Sequence, residues 1–340
     1  MQFLRRTLAV FLAFLFMGSA VLALFLFNLE WRAFSPATYK QAFINGDFYN
    51  RLPTMLAEAL ATNASGQTGL PFTMRGLSVQ QWDAYVRAIL PPDVIRVMGD
   101  QTLDSIFAYL NQQSDTANVS LVPLKASMGS ASSVQAVFNL LATQPPCTIE
   151  QITSMTLSIL QSGEIAFCNP PPDLQPLIAP LMQSQLQYAS TLLPDTVIIM
   201  NDSGQTGLDN PRERLGLIRM VMQVSPLIAL GVMAVYGLVV VFTFVNWLDW
   251  IAVPMLISGF FSSLAAIVGS PVVRVVLEEI LARNMPVYFP PIFVEYAGDL
   301  AVEITAQFLQ PVIWQGLIIG AIGLGLLALS FLLRRRGKFF

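Results

Sequence analysis

The sequence predicts a mostly α membrane protein: a four-helix transmembrane bundle with a mainly helical extracytoplasmic domain, containing minor β structure, inserted between the first and second spans. Charged residues make up only 11% of the 340-residue chain and apolar residues 54%, whereas soluble domains carry roughly 25% charged residues. The apolar excess falls in four long charge-free stretches, the pattern of bilayer-spanning helices. A long segment of ordinary soluble composition lies between the first two stretches.

The first stretch, residues 7–27, contains no charged residue. At about 1.5 Å per residue, its length is sufficient to cross a hydrocarbon core of about 30 Å. The alternative is a cleaved signal peptide, because Val21-Leu22-Ala23 resembles a cleavage site. The apolar run continues past that site, and signal-peptide apolar regions are only about 7–15 residues long. The sequence therefore favours a retained transmembrane anchor over residues 1–30.

The second and third stretches, residues 220–248 and 250–273, are separated only by Asp249. This spacing predicts a tight transmembrane hairpin over residues 212–273. A tryptophan lies on either side of the aspartate, where an aromatic belt at the membrane interface is expected.

The fourth span is expected within residues 311–340, where the apolar run ends at Leu333 and four basic residues follow. Basic residues near span ends favour the cytoplasmic side. Arg5 and Arg6 precede the first span, and an even number of spans places both termini on one side of the membrane. The sequence therefore predicts a protein of the cytoplasmic (plasma) membrane with both termini in the cytoplasm and residues 31–211 outside.

Local signals in residues 31–211 are mostly helical. Ser78-Val-Gln-Gln81 fits a capping box, and apolar residues follow it at helical spacing. Further helix signals are a proline-rich stop and cap at 91–93, a second capping box at 148–151 that opens a helix towards Leu160, and a helix from Asp173 to Leu193. Two strand-like runs, at 119–123 and 196–200, predict a small hairpin or edge pair.

Cys147 and Cys168 are the only cysteines of the chain, and prolines adjoin both. In an oxidising compartment, such a pair most simply forms a structural disulfide, worth roughly 3 kcal/mol in the chain-entropy model. Free or metal-bound thiols are the alternative. The C-x-x-C spacing typical of redox catalysis is absent.

Residues 274–310 are expected to form two short juxtamembrane helices near the outer surface, joined by Pro290-Pro291. Arg274 and Glu278 are opposite charges four residues apart, which suits an exposed helix. Aromatic residues between 287 and 296 are typical of headgroup depth.

An acidic stripe follows in the same segment, because Glu295, Asp299 and Glu303 recur every fourth residue. Such a stripe could attract cations or relay protons just outside the membrane. Like charges at this spacing cost only a few tenths of a kcal/mol when exposed, so a solvated face is the simpler interpretation. The nearest predicted counter-charges are the arginines at the outer end of the second span, Arg212, Arg214 and Arg219.

Gly316 and Gly320 form a G-x-x-x-G pattern in the fourth span, which predicts a close-packing face. Packing inside the four-helix bundle and dimerisation are both compatible with it.

Several classes of chemistry are disfavoured by composition. The chain has no histidine, which removes the commonest general base and metal ligand. No phosphate-binding loop, nucleophile elbow, zinc-protease or EF-hand motif occurs, and no basic patch for nucleic acid is present. We expect no cofactor and no metal, and the sequence favours a non-enzymatic protein over an enzyme.

The combined pattern resembles a group of bacterial multipass membrane proteins to which no activity is assigned. The resemblance comes from short motifs: Leu90-Pro-Pro-Asp93, Leu103-Asp-x-x-Phe-x-x-Leu110, Pro146-Cys147 and Cys168-x-Pro-Pro-Pro172. It implies the architecture described above and no functional residue.

These features predict a membrane-anchored extracytoplasmic protein that binds a partner or ligand. Its partners are expected to be the lipid bilayer and either another protein or a second copy of the chain. One alternative is an accessory subunit of a transport or membrane complex. Another is an envelope hydrolase or transferase that uses carboxylates.

Overall fold

A computed structural model describes residues 2–64, 77–149, 168–201, 211–240, 244–284 and 291–336. The described chain is mostly helical with one two-stranded sheet, which confirms the mostly α prediction with minor β structure. The helices are α1 (Gln2–Ala33), α2 (Pro36–Asn45), α3 (Phe48–Ala64), α4 (Val79–Ile89), α5 (Pro92–Leu110), α6 (Val122–Met128), α7 (Ala131–Leu141), α8 (Gln175–Leu192), α9 (Pro211–Val240), α10 (Phe244–Asn284) and α11 (Pro291–Arg336). The strands are β1 (Thr116–Ser120) and β2 (Thr196–Asn201).

The chain divides into two compact units. Unit 1 comprises Met1–Ala42, Ser203–Ile280 and Gly298–Phe340, and unit 2 comprises Phe43–Asp202 and Leu281–Ala297. Each unit has its own packed apolar residues and is described separately.

Four helices, α1, α9, α10 and α11, are long and apolar enough to cross a membrane, which confirms the four predicted spans. Their shared core in unit 1 contains small residues of α1 and larger ones of its neighbours. The buried members are Ala9, Ala13, Tyr236, Val240 and Ile251. The Tyr236 hydroxyl donates to the carbonyl of Trp250 at 2.5 Å, so a polar contact also joins α9 to α10.

The predicted position of the hairpin turn is wrong. Helix α9 ends at Val240 and α10 begins at Phe244, so Asp249 lies inside α10 instead of at the turn. Its carboxylate is paired with Arg334 near the end of α11. The residues between the two helices are themselves uncharged, and a charge-free run therefore gives no signal of where the chain reverses.

The predicted juxtamembrane helices are not separate elements. Helix α10 continues to Asn284 and α11 starts at Pro291, so both segments are continuous with membrane-length helices. Pro290 lies outside the described residues. Pro271 and Pro311 both lie inside these long helices. Membrane helices tolerate proline when neighbouring groups satisfy the freed backbone carbonyl.

Two apolar clusters form the core of unit 2. One joins α3, α4 and α7 through Ala57, Leu77, Trp82 and Leu140. The other joins α7 to α8 and contains Val134, Phe138, Leu141, Ile178 and Met182. Helix α7 takes part in both, so it is the central element of the unit.

Helix starts in unit 2 follow the local chemistry in part. The capping box is confirmed, because the Ser78 hydroxyl accepts from the Gln81 amide and the Gln81 side chain accepts from the Ser78 amide. At α5 the cap is Pro91, which offers no side-chain acceptor, and Asp93 lies in the first turn instead. Helix α8 matches its prediction, and most of the helix predicted from Thr148 lies outside the described residues.

The sheet is an antiparallel pair of β1 and β2. It is an edge pair and not a hairpin, because α6, α7 and α8 lie between the strands in sequence. The first strand was predicted at 119–123, but it ends at Ser120 and α6 begins at Val122. The register shifts at Ala117 and leaves Ile199 of β2 without an opposite residue, which is a β-bulge.

Candidate functional site

The two cysteines form a structural staple. Cys147 and Cys168 are joined by a disulfide with their Cα atoms 4.8 Å apart. Beside it, the Cys147 amide donates to the Asn169 carbonyl at 3.0 Å and the Asn169 amide donates to the Pro145 carbonyl at 2.9 Å. Because both sulfur atoms are in the disulfide, neither cysteine is available as a nucleophile or metal ligand in this oxidised state.

The acidic stripe on α11 is partly neutralised from α10. Asp299 accepts from Arg274 at 3.2 Å, and the same guanidinium contacts Glu278 at 2.8 Å. The partner of Asp299 is therefore on α10, not on the second span. Glu295 is exposed and Glu303 is half-buried. No group of three carboxylates, cysteines or histidines able to hold a metal occurs among the residues that the structure describes.

The G-x-x-x-G face of α11 is in contact with α10 within the chain. A Cβ atom added at Gly259 of α10 would lie 2.5 Å from the carbonyl oxygen of Gly316 and 2.5 Å from the amide nitrogen of Gly320. The two backbones therefore approach as closely as small residues allow. This face is occupied by the protein's own helix.

A buried ion pair in unit 1 was not singled out by the sequence. Glu30 of α1 is only 6% exposed and accepts from Arg219 at 3.0 Å and from Gln223 at 2.8 Å. The Arg219 guanidinium also lies over the ring of Phe34, 4.4 Å from its centre. The pair joins α1 to α9. One sequence feature could have revealed this ion pair: the carboxylate lies three residues after a charge-free stretch. A charged residue that faces the interior of a helix bundle is expected to have a partner.

A second polar contact lies two residues earlier on α1. The buried Asn28 side chain donates to the Gln315 amide oxygen of α11 at 2.7 Å, and Gln315 donates back at 3.4 Å. Together with the Glu30 pair, it fixes α1 against two neighbouring helices. Every one of these groups is satisfied by another protein group, which is the arrangement of a structural joint.

Two tyrosines of unit 2 have raised pKa values. Burial, followed by a 3.0 Å hydrogen bond from its hydroxyl to Asp100, raises the pKa of Tyr49. Burial also raises the pKa of Tyr85. A raised phenol pKa means that both hydroxyls are protonated and uncharged at neutral pH.

Unit 2 contains a small cavity between α4 and α7. Its volume is about 230 Å³, below the roughly 300–1,000 Å³ typical of sites that enclose a small-molecule ligand. Its walls are Gln81, Ala84, Tyr85, Ala88, Ser132, Gln135, Ala136, Asn139 and Leu140. The cavity is therefore smaller than a typical small-molecule site.

The most unusual surface of unit 2 is strand β2. Four consecutive apolar residues are solvent-exposed: Val197 (43%), Ile198 (60%), Ile199 (48%) and Met200 (39%). Successive residues of a strand point to opposite faces, so both faces of β2 are apolar and open. We call these four residues the β2 surface.

The position of β2 explains this exposure. The strand pairs with β1 on one edge, and among the described residues no strand pairs with its other edge. Its start is held by Asp195, whose carbonyl accepts from the Leu121 amide at 2.8 Å and whose carboxylate is paired with Lys125. The strand is therefore anchored at its base while its apolar side chains remain in solvent.

Helix α8, which precedes β2, also carries exposed apolar residues. They are Leu177, Tyr188 and Leu192.

No protein-family model matches the chain, and no curated protein or solved structure matches it.

Proposed function

We propose that the protein is a membrane-anchored binding protein whose unit 2 lies on the extracytoplasmic side and recognises a partner protein through the β2 surface. One observation carries this proposal: four consecutive apolar residues are exposed on both faces of a strand whose second edge pairs with no other strand in the described part of the chain. The same strand contains no charged residue and no proline.

The physical argument concerns how proteins treat sheet edges. Charges and prolines commonly protect an edge strand from pairing with other chains. Strand β2 has neither, and only the bulge at Ile199 interrupts its regular pairing. Covering a half-exposed isoleucine removes about half of its apolar area from water, which is worth about 1 kcal/mol. A surface with this composition is typical of an interaction site.

A partner protein fits the geometry better than a small ligand. The β2 surface is open, whereas the cavity between α4 and α7 is too small for most ligands. The free edge offers backbone donors and acceptors to an extended segment, and the side chains on both faces offer apolar contact. The partner should therefore present an uncharged, apolar segment.

Two observations support the extracytoplasmic position. Basic residues lie at the N-terminal end of α1 and at the C-terminal end of α11. Basic residues near span ends favour the cytoplasmic side, so this pattern supports cytoplasmic termini. The disulfide of unit 2 suits an oxidising compartment.

The Gly316–Gly320 face, which could have served a membrane complex, is already covered by α10.

The test uses the full-length protein purified from its native membranes in mild detergent. Ile198→Asp places a charge on the β2 surface, and Val97→Asp, on an exposed apolar residue of α5 in the same unit, is the matched control. We expect a stoichiometric companion to co-purify with the wild type and with Val97→Asp, and to fall at least tenfold with Ile198→Asp.

Two results would contradict the proposal. One is a set of co-purifying proteins that is the same for both variants. The other is a photo-crosslink from position 198 that joins two copies of this chain, which would make the surface a homodimer interface instead.

A further inference from the structure

We propose that a groove between α1 and α10 in unit 1 binds one acyl chain of a membrane phospholipid, with the headgroup at the Asp249–Arg334 end. This inference is independent of the partner proposed for unit 2. It adds a lipid-binding site to the membrane helices.

The groove consists of two cavities that share lining residues. Their volumes are about 390 and 780 Å³, and Phe14, Met17 and Ile257 line both, so the two spaces adjoin. The other lining residues are Ala13, Tyr236, Asp249, Trp250, Val253 and Pro254 in the first cavity, and Gly18, Val21, Leu22, Phe25, Ser258 and Phe261 in the second.

The groove lies at the depth of the acyl chains. Its α1 side runs from Ala13 to Phe25, which corresponds to about 18 Å of helix at 1.5 Å per residue. These residues lie inside the predicted first span, residues 7–27, which is long enough to cross a hydrocarbon core of about 30 Å. An occupant lying along the groove would therefore be surrounded by hydrocarbon on its open side.

The walls of the groove favour a flexible chain over a transmembrane helix. Close helix packing needs small residues along the interface, whereas Phe14, Phe25 and Phe261 line this groove. Gly18 is the exception: nothing lies within 4 Å of the position its Cβ would take, which leaves a space the width of a side chain. Thin, conformable methylene groups suit such a shape.

The Ser258 hydroxyl, which lines the second cavity, needs no hydrogen-bond acceptor from an occupant. The Ser258 hydroxyl donates to the Met255 carbonyl of its own helix at 3.1 Å. Away from Asp249, the groove therefore presents an apolar surface to an occupant.

The polar end of the groove suits a phospholipid headgroup. Asp249 lies near the start of the membrane-length part of α10, and its partner Arg334 lies near the end of that of α11. Trp250 beside them is a residue type enriched at the membrane interface. A guanidinium has five donors, so Arg334 can keep Asp249 and also donate to a phosphate oxygen.

The test fills the groove without touching the protein's own contacts. Gly18→Phe places a ring in the open space of the groove. Gly231→Phe is the matched control, because Gly231 also has nothing within 4 Å of its Cβ position and lies on α9, away from the groove lining. The full-length proteins would be extracted in mild detergent and their bound phospholipid counted by native mass spectrometry.

We expect the wild type and Gly231→Phe to retain one phospholipid after detergent washing, and Gly18→Phe to lose at least nine-tenths of it. Equal retention in all three proteins, or no retained lipid in the wild type, would overturn the proposal. So would a companion protein, rather than a lipid, that is released by Gly18→Phe.

A second measurement covers the case in which Gly18→Phe fails to fold. Wild-type protein in nanodiscs would be irradiated with a phospholipid that carries a photoreactive group in its acyl chain. Cross-links concentrated on residues 13–25 of α1 over the Gly231 region of α9 support the groove. An even distribution over both helices would show ordinary bilayer contact and overturn it.

Discussion

At the scale of single residues, a carboxylate as buried as Glu30 is stable only because Arg219 and Gln223 satisfy it. Removing a charge from water costs several kcal/mol, and a partner at hydrogen-bond distance offsets that cost. The benefit is therefore conditional: each residue is stabilising while the other is present.

We predict that Arg219→Leu lowers the free energy of unfolding by about 3 kcal/mol, because it leaves the buried Glu30 carboxylate without its counter-charge. The double variant Glu30→Leu/Arg219→Leu should cost less than Arg219→Leu alone. Thermal unfolding of the detergent-solubilised full chain measures both. Equal or additive losses would show that the two side chains are not coupled.

The same residues show what the sequence could not reveal. Asn28 and Glu30 lie at the end of the predicted anchor, residues 1–30, whereas α1 continues to Ala33 and buries both. Their partners are 287 and 189 positions away in the chain. Hydropathy detects a span from adjacent residues, but a polar contact between spans depends on which helix faces are turned toward each other.

At the scale of elements, α10 and α11 are held together by backbone contact at glycines. A methyl group at Gly259 would lie within 2.8 Å of three backbone atoms of α11, and backbone atoms cannot turn aside as a flexible side chain can. The two helices would have to separate to accept it.

We predict that Gly259→Ala lowers the thermal midpoint of the full chain in detergent by several degrees. Gly231→Ala, at an open position of α9, should leave it unchanged or raise it, because alanine is favoured over glycine in a helix by about 1 kcal/mol. Two midpoints that move together would show that the α10–α11 approach is looser than described.

Local chemistry predicted element starts better than element connections. The reciprocal bonds of Ser78 and Gln81 need only four adjacent residues, and they are present. The turn before α10 was misplaced, because Asp249 was interpreted as a turn residue although its counter-charge is Arg334, far along the chain. The β2 surface was recognised as a strand, but its exposure depends on which segments fail to cover it.

At the scale of the whole molecule, the proposed orientation can be tested by labelling. Both native cysteines are in the disulfide, so an introduced cysteine is the only free thiol. We predict that a membrane-impermeant maleimide labels Asp93→Cys, at an exposed position of unit 2, on intact cells. Lys338→Cys should react only after the membrane is permeabilised. The reverse pattern would invert the orientation.

The division of unit 2 between two separate segments has a consequence for biosynthesis. Tyr296 belongs to its second segment, Leu281–Ala297. Its hydroxyl donates to the Gly46 carbonyl at 3.2 Å, and its ring stacks on Phe48 at 6.0 Å. A ribosome adds about 5–20 residues per second, so the first segment waits on the order of several seconds for this ring. Completion of unit 2 is therefore timed by synthesis of α9 and α10, and a secreted fragment that stops at residue 202 would emerge with the Gly46–Phe48 turn still uncovered.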